Sequence, residues 1–219
     1  NDWLGEFAEP TYELIESIYA DYGIKYLGAL AQGNSAIVCT SRQIKEPSDV
    51  KGLTFRASGT WVSKTVSAWG GSAVTIGLAD LADAFSKKTV DGVTTGLNII
   101  VPFKLYEVAK YITFTTISEG FAGLLMNGQA WDSLNDDEKA LITEAGKIFT
   151  KKSYEHATNF MNDYKKQIEE YGQNEIHYLT EEEQAKFLEK SFELLDEMQS
   201  ELGPKGKELV KLLKEINGR

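Results

Sequence analysis

The chain has 219 residues, 42% of them hydrophobic and 26% charged, with a formal net charge of -10 at pH 7. That length accommodates one large domain or two lobes with proper cores, and the composition is that of an ordinary globular protein. The acidic balance and the lack of a basic stripe argue against nucleic acid, and no apolar run approaches the ~20 residues that span a bilayer.

An acidic chain repels anions, so any anion site has to be local and focused. The single cysteine, Cys39, provides neither an internal disulfide framework nor a cysteine-based metal site. It lies in an apolar strand-like run and reads as a buried, inert thiol. The opening Asn1-Asp-Trp-Leu-Gly has neither the basic start nor the apolar core of a signal peptide, so a processed, fragmentary or cytoplasmic chain is expected.

Residues 7–22 place Phe7, Tyr12, Leu14, Ile15, Ile18 and Tyr19 at helical spacing and predict a helix that Gly23 ends as a C-cap. Apolar runs at 26–31 and 36–40 predict two strands. Glu46-Pro47-Ser48-Asp49 predicts a turn that opens a short helix. Strands are expected at 53–56, 73–76 and 90–94, with helices at 59–69 and 78–87 between them. This alternation is the pattern of a parallel sheet with crossover helices.

A β-branched run at 110–117 and an apolar run at 121–126 follow. The remainder predicts helices. Asn135-Asp-Asp-Glu138 resembles a capping box, and a helix continuous over 136–171 would be roughly 50 Å long, enough to cross between two lobes. Thr180-Glu-Glu-Glu183 is a second capping box, opening a helix to about residue 202. Gly203-Pro204 then breaks it, and 207–216 forms a terminal helix.

Catalytic chemistry finds little support. His156 sits among lysines and a glutamate on the long helix, and His177 in a short extended run; two isolated histidines make a zinc site improbable. No phosphate-binding glycine loop or nucleophile elbow is present. Asp136/Asp137 and Glu181/Glu182/Glu183 fall in helix first turns, where they complement the macrodipole. Asp80 and Asp83 lie on an ordinary amphipathic helix. No metal, no cofactor and no enzyme activity is expected.

Arg56 is different. It closes a short apolar strand just before Ser58-Gly59, and strand ends opening into turns are where α/β sheets present ligand crevices. Its guanidinium is a rigid fork of donors suited to a carboxylate. Trp61, at the first turn of the next helix, supplies a flat wall beside N–H groups that attract an anion. Trp69 and Trp131 read as packing residues.

These residues belong to longer motifs. Pro47-Ser-Asp-Val-Lys-Gly-Leu-Thr-Phe-Arg56, Val90-Asp-Gly92, Lys104-Leu-Tyr-Glu-Val-Ala-Lys-Tyr111 and Trp131-Asp-Ser-Leu-Asn-Asp-Asp-Glu138 occur in order. The set resembles the solute-binding proteins of TRAP (tripartite ATP-independent periplasmic) transporters, with Asn135 where that family usually has proline. The resemblance implies an α/β, two-lobed Venus-flytrap protein with a long lobe-crossing helix. It implies a periplasmic location, capture of a small organic acid by an arginine-carboxylate salt bridge at Arg56, and delivery to TRAP membrane permease subunits. An extracytoplasmic sensory module of the same fold is the alternative.

The implied division is 1–40 as the remainder of the first lobe and 41–117 as the ligand-facing second lobe. Residues 118–219 would then carry return strands, the long helix and C-terminal helices. Members of the family are expected to carry roughly 90–100 residues before the point where this chain begins, so the N-terminal part of the first lobe is expected to be missing. Ala36, beside Asn34 and Ser35, stands where many members have a second arginine; Thr95 stands where asparagine is usual, and Leu78 where an aromatic is. The ligand is therefore expected to be a monocarboxylate held by Arg56, walled by Trp61 and hydrogen-bonded by Thr95 or Asn98, with Asn34, Ser58 and Leu78 also lining the site.

Overall fold

The computed structural model describes residues 8–216. The strands are β1 (Ile24–Cys39), β2 (Thr54–Ala57), β3 (Ser72–Thr75), β4 (Gly92–Gly96), β5 (Tyr111–Asn127) and β6 (Glu175–Tyr178). The helices are α1 (Glu9–Ala20), α2 (Thr60–Ala68), α3 (Leu81–Ser86), α4 (Leu97–Ile100), α5 (Leu105–Val108), α6 (Gly128–Asp132), α7 (Asp136–Tyr171), α8 (Glu181–Phe192) and α9 (Leu195–Ile216). Two compact units result. One comprises Asn1–Gln32, Phe121–Thr158 and Leu195–Arg219; the other comprises Gly33–Gly120 and Asn159–Leu194. Strands β1 and β5 and helix α7 contribute residues to both units.

The sheet order is β3-β2-β4-β1-β5-β6. β2 pairs in parallel with both β3 and β4, whereas β4 and β1 are antiparallel. Side chains alternate between sheet faces, so the register sorts the second unit into two cores. One face carries Ala36, Val38 and Val93 with Leu81, Leu97, Ile100 and Leu105 of α3, α4 and α5. The other carries Ile37, Cys39 and Phe55 with Val66 and Trp69 from the α2 segment and Phe187 from α8. Phe187 is fully buried and meets the Trp69 ring edge-on at 5.0 Å between centroids. Phe187→Ala should therefore destabilise the protein by about 3–5 kcal/mol in chemical denaturation, because a buried aromatic leaves a cavity that its neighbours cannot fill. A loss below about 1 kcal/mol would place Phe187 outside the core.

The family-like motifs prove to be turn chemistry. Asp49 accepts the backbone N–H groups of Lys45 and Glu46 at 2.8 and 3.0 Å, capping the 3-10 turn Pro47–Val50. Gly52 then adopts a left-handed φ of 76°, which suits glycine. Asp91 accepts the Thr54 N–H at 2.8 Å, tying the start of β2 to the turn before β4. Gly92 lies under the Phe55 ring, where a Cβ would sit 2.6 Å from Phe55 Cζ.

Several expected boundaries move. The two strands expected at 26–31 and 36–40 are one strand, β1. Gly33 supplies a φ of 73° within it, and a Cβ there would meet Met161 Sδ at 2.2 Å. The runs at 110–117 and 121–126 are likewise one strand, β5. The helix expected to reach residue 202 is interrupted after Phe192, whereas the expected break at Gly203-Pro204 is present: Gly203 leaves helical geometry (φ 69°, ψ -156°) and kinks α9. The long helix spans 136–171 as expected.

In the first unit, α7 crosses β1 at two glycines. Ala29 N–H donates to Thr150 Oγ1 at 3.0 Å, and Ala31 N–H to Ser153 Oγ at 3.2 Å. Lys205 of α9 donates to the Ser17 carbonyl and to Asp21 Oδ2 at 2.7 and 2.6 Å, covering the C-terminal end of α1. Among the described residues, no helix is long and apolar enough to cross a membrane.

Candidate ligand-binding site

The second unit gathers the carboxyl ends of three parallel strands, the position where open α/β sheets bind ligands. β2 ends in Arg56-Ala57 and turns through Ser58-Gly59 into α2. β3 ends at Thr75, and β4 ends in Thr95-Gly96 and enters α4 directly. Arg56 aligns with Val74 on β3 and Val93 on β4, which puts all three on the face of the first core cluster. Thr95, two residues beyond Val93, shares that face and aligns with Ala36 of β1.

Arg56 is only 8% exposed. Its Nε donates to the Ile76 carbonyl at 3.0 Å, which fixes the plane of the guanidinium. Among the described residues, no acceptor engages its terminal nitrogens and no carboxylate pairs with it. Burial pushes the guanidinium pKa below its usual value, a sign of a charge short of water and without compensation. A buried cation of this kind is unfavourable by several kcal/mol unless an anion joins it. The Ile76 contact had no sequence signal, since every residue carries a carbonyl.

The other expected residues sort by position. Thr95 is half-buried in β4. Asn98 is half-buried in α4, and its Oδ1 is buried with no hydrogen-bond partner. Trp61 is half-buried at the start of α2, with Lys64 Nζ 4.4 Å from its ring centroid. Ser58 is exposed in the turn after β2. Leu78 packs against the first core cluster. Asn34 lies in β1, and its side chain falls outside the described residues. Ser35 escaped the sequence reading: it is 4% exposed, aligns with Gly96, and its hydroxyl has no partner. The alternation of β1 turns it to the opposite sheet face from Arg56.

Elsewhere, Cys39 is buried in β1, and His177 contacts Glu183 at 2.9 Å within the α8 cap. Among the described residues, no three His, Cys, Asp or Glu side chains gather in an arrangement that could hold a metal.

A family profile described as "bacterial extracellular solute-binding protein, family 7" matches residues 5–202. The ectoine/5-hydroxyectoine-binding periplasmic protein of Ruegeria pomeroyi is 20% identical over 208 residues, covering 92% of this chain and 60% of that protein. The chain thus spans about 60% of the length of such curated relatives. Among solved structures, the periplasmic ectoine-binding protein of the Halomonas elongata TRAP transporter superposes with a TM-score of 0.88 at 19% identity, covering 98% of this chain and 72% of that one. A TRAP periplasmic solute-binding protein from Rhodoferax ferrireducens, with bound malonate, superposes with a TM-score of 0.84 at 18% identity, covering 99% and 68%. The α/β fold expected from the sequence is the fold of these two-lobed periplasmic binding proteins.

Proposed function

This chain belongs to bacterial extracellular solute-binding protein family 7, the TRAP solute-binding proteins that its motifs resemble, and we propose that it captures a small monocarboxylate in the periplasm and delivers it to a TRAP membrane permease. The observation that carries this reading is the buried Arg56 guanidinium at the ends of the parallel strands, oriented through Nε and paired with no carboxylate among the described residues. A ligand carboxylate completes the fork with two charge-assisted hydrogen bonds, a contribution of about 1.5–3 kcal/mol.

One of the similar structures holds malonate, a dicarboxylate. Ala36 argues for a single carboxylate here. It is fully buried, aligns with Thr95, and brings no second cation to that face. Thr95 offers a neutral hydroxyl, and Trp61 an apolar wall for the ligand body. Mass spectrometry of small molecules released by denaturing the purified protein is expected to yield a monocarboxylic acid. Recovery of a dicarboxylate would overturn the single-carboxylate assignment, and recovery of a ligand with no carboxylate would overturn the role of Arg56.

A further inference from the structure

We propose that Asn98 is a specificity-determining residue whose side-chain carbonyl selects carboxylates that also carry a hydrogen-bond donor, a hydroxyl or an N–H, over plain and oxo acids. The inference rests on the reading of Arg56 as the carboxylate anchor and extends it to the rest of the ligand. Four buried side-chain atoms among the described residues lack a hydrogen-bond partner: Ser35 Oγ, Trp69 Nε1, Asn98 Oδ1 and Asn174 Oδ1.

Three of them have no bearing on a ligand beside Arg56. Trp69 lies inside the second core cluster, with its ring against Phe187. Asn174 is held by its own amide, which donates to the carbonyls of Tyr106 and Ala109 at 2.8 Å each. Ser35 faces the other side of the sheet. Asn98 shares the side and the end of the sheet with Arg56. It follows β4 by two residues, in a helix whose Leu97 and Ile100 anchor in the same core cluster that flanks Arg56.

The two groups ask for opposite partners. Arg56 can only donate, which suits a carboxylate; a carbonyl oxygen can only accept, which suits an O–H or N–H. Buried polar groups in folded proteins are nearly always paired, so a buried acceptor without a donor, in the helix that follows β4 on the Arg56 side of the sheet, is complementary to a ligand carrying both functions. A site built to hydrogen-bond such a group rejects the analogue that lacks it, because the protein atom is then left buried and unpaired.

The test is calorimetric titration of the full chain with two matched pairs, lactate against pyruvate and 2-hydroxyisovalerate against 2-oxoisovalerate. The hydroxy acid is expected to bind at least about tenfold more tightly within whichever pair binds. Asn98→Leu should bring the two members within about twofold, while Asn98→Asp, which keeps an acceptor of the same size, should preserve the preference with weaker binding of both. Equal binding, a preference for the oxo acid, or an unchanged ratio in Asn98→Leu would overturn the role of Asn98. If the oxo acid is preferred and Arg56→Gln abolishes that binding, the carboxylate reading stands and only this inference falls. If no member of either pair binds, both fall.

Discussion

Arg56→Met is expected to lose the carboxylate-induced rise in melting temperature and, in the same protein, to melt higher without ligand. The two effects have one cause. Arg56 is buried, its single described hydrogen bond runs from Nε to the Ile76 carbonyl, and no carboxylate among the described residues balances its charge. The desolvation of an unpaired ion amounts to several kcal/mol, more than the ~1–3 kcal/mol lost when the Ile76 carbonyl loses its donor. Methionine fills a similar volume without charge, so a net gain of about 1 kcal/mol, or roughly 2–4 °C, is expected for a chain of this size. With ligand, the loss of a charge-assisted pair weakens binding by about 10- to 150-fold. Differential scanning fluorimetry with and without 2-hydroxyisovalerate reads both. A variant that melts lower than the parent, or that keeps its ligand shift, would show that Arg56 is a structural residue.

Gly146→Ala should be among the most damaging single-methyl changes in the protein. Gly146 sits in the interior of α7, where alanine ordinarily gains up to ~1 kcal/mol over glycine through helix propensity. Here a Cβ would lie 2.1 Å from the Leu27 carbonyl oxygen and 3.0 Å from its carbon, both backbone atoms of β1. The contact is reciprocal: a Cβ on Gly28 would meet Thr150 Oγ1 at 2.3 Å and the Gly146 carbonyl at 2.8 Å. Neither backbone can retreat without disturbing the Ala29 and Ala31 hydrogen bonds to Thr150 and Ser153. The clash outweighs the propensity, and a net loss of about 2–4 kcal/mol is expected in urea denaturation. Gly59→Ala is the contrast: nothing lies within 4 Å of its added methyl and its φ of 174° is extended backbone, so its effect should stay within about 0.5 kcal/mol. Equal losses in the two variants would refute the close crossing of α7 over β1.

Much of the fold was legible because local chemistry set it. The alternation of strands and helices over 53–94 and the capped start and breaker-free run of α7 follow from periodicity and turn residues alone. The segments that carried the family resemblance are the same turn chemistry at closer range: Asp49 caps a turn, Asp91 ties two strand starts, and Gly92 makes room for Phe55. Continuity of β1 was not legible. The apolar runs at 26–31 and 36–40 read as two separate strands, yet β1 pairs along the sheet with strands distant in sequence, and Gly33 serves close packing against Met161.

The candidates for a carboxylate site are visible in the residues alone: one arginine at a strand end, a tryptophan soon after it, no second arginine at position 36, and amides and hydroxyls near the next strand end. Their sorting between the two faces of the sheet comes from strand pairing. Pairing of β4 with β2 and with β1 put Arg56 and Thr95 on one face and turned Ser35 to the other, and Leu78 packs against the core. The folded chain also supplied the Ile76 carbonyl that orients the guanidinium and left Asn98 Oδ1 buried without a donor. Those outcomes depend on register and on burial, which arise from contacts between distant segments, and side-chain period within a single strand cannot specify them.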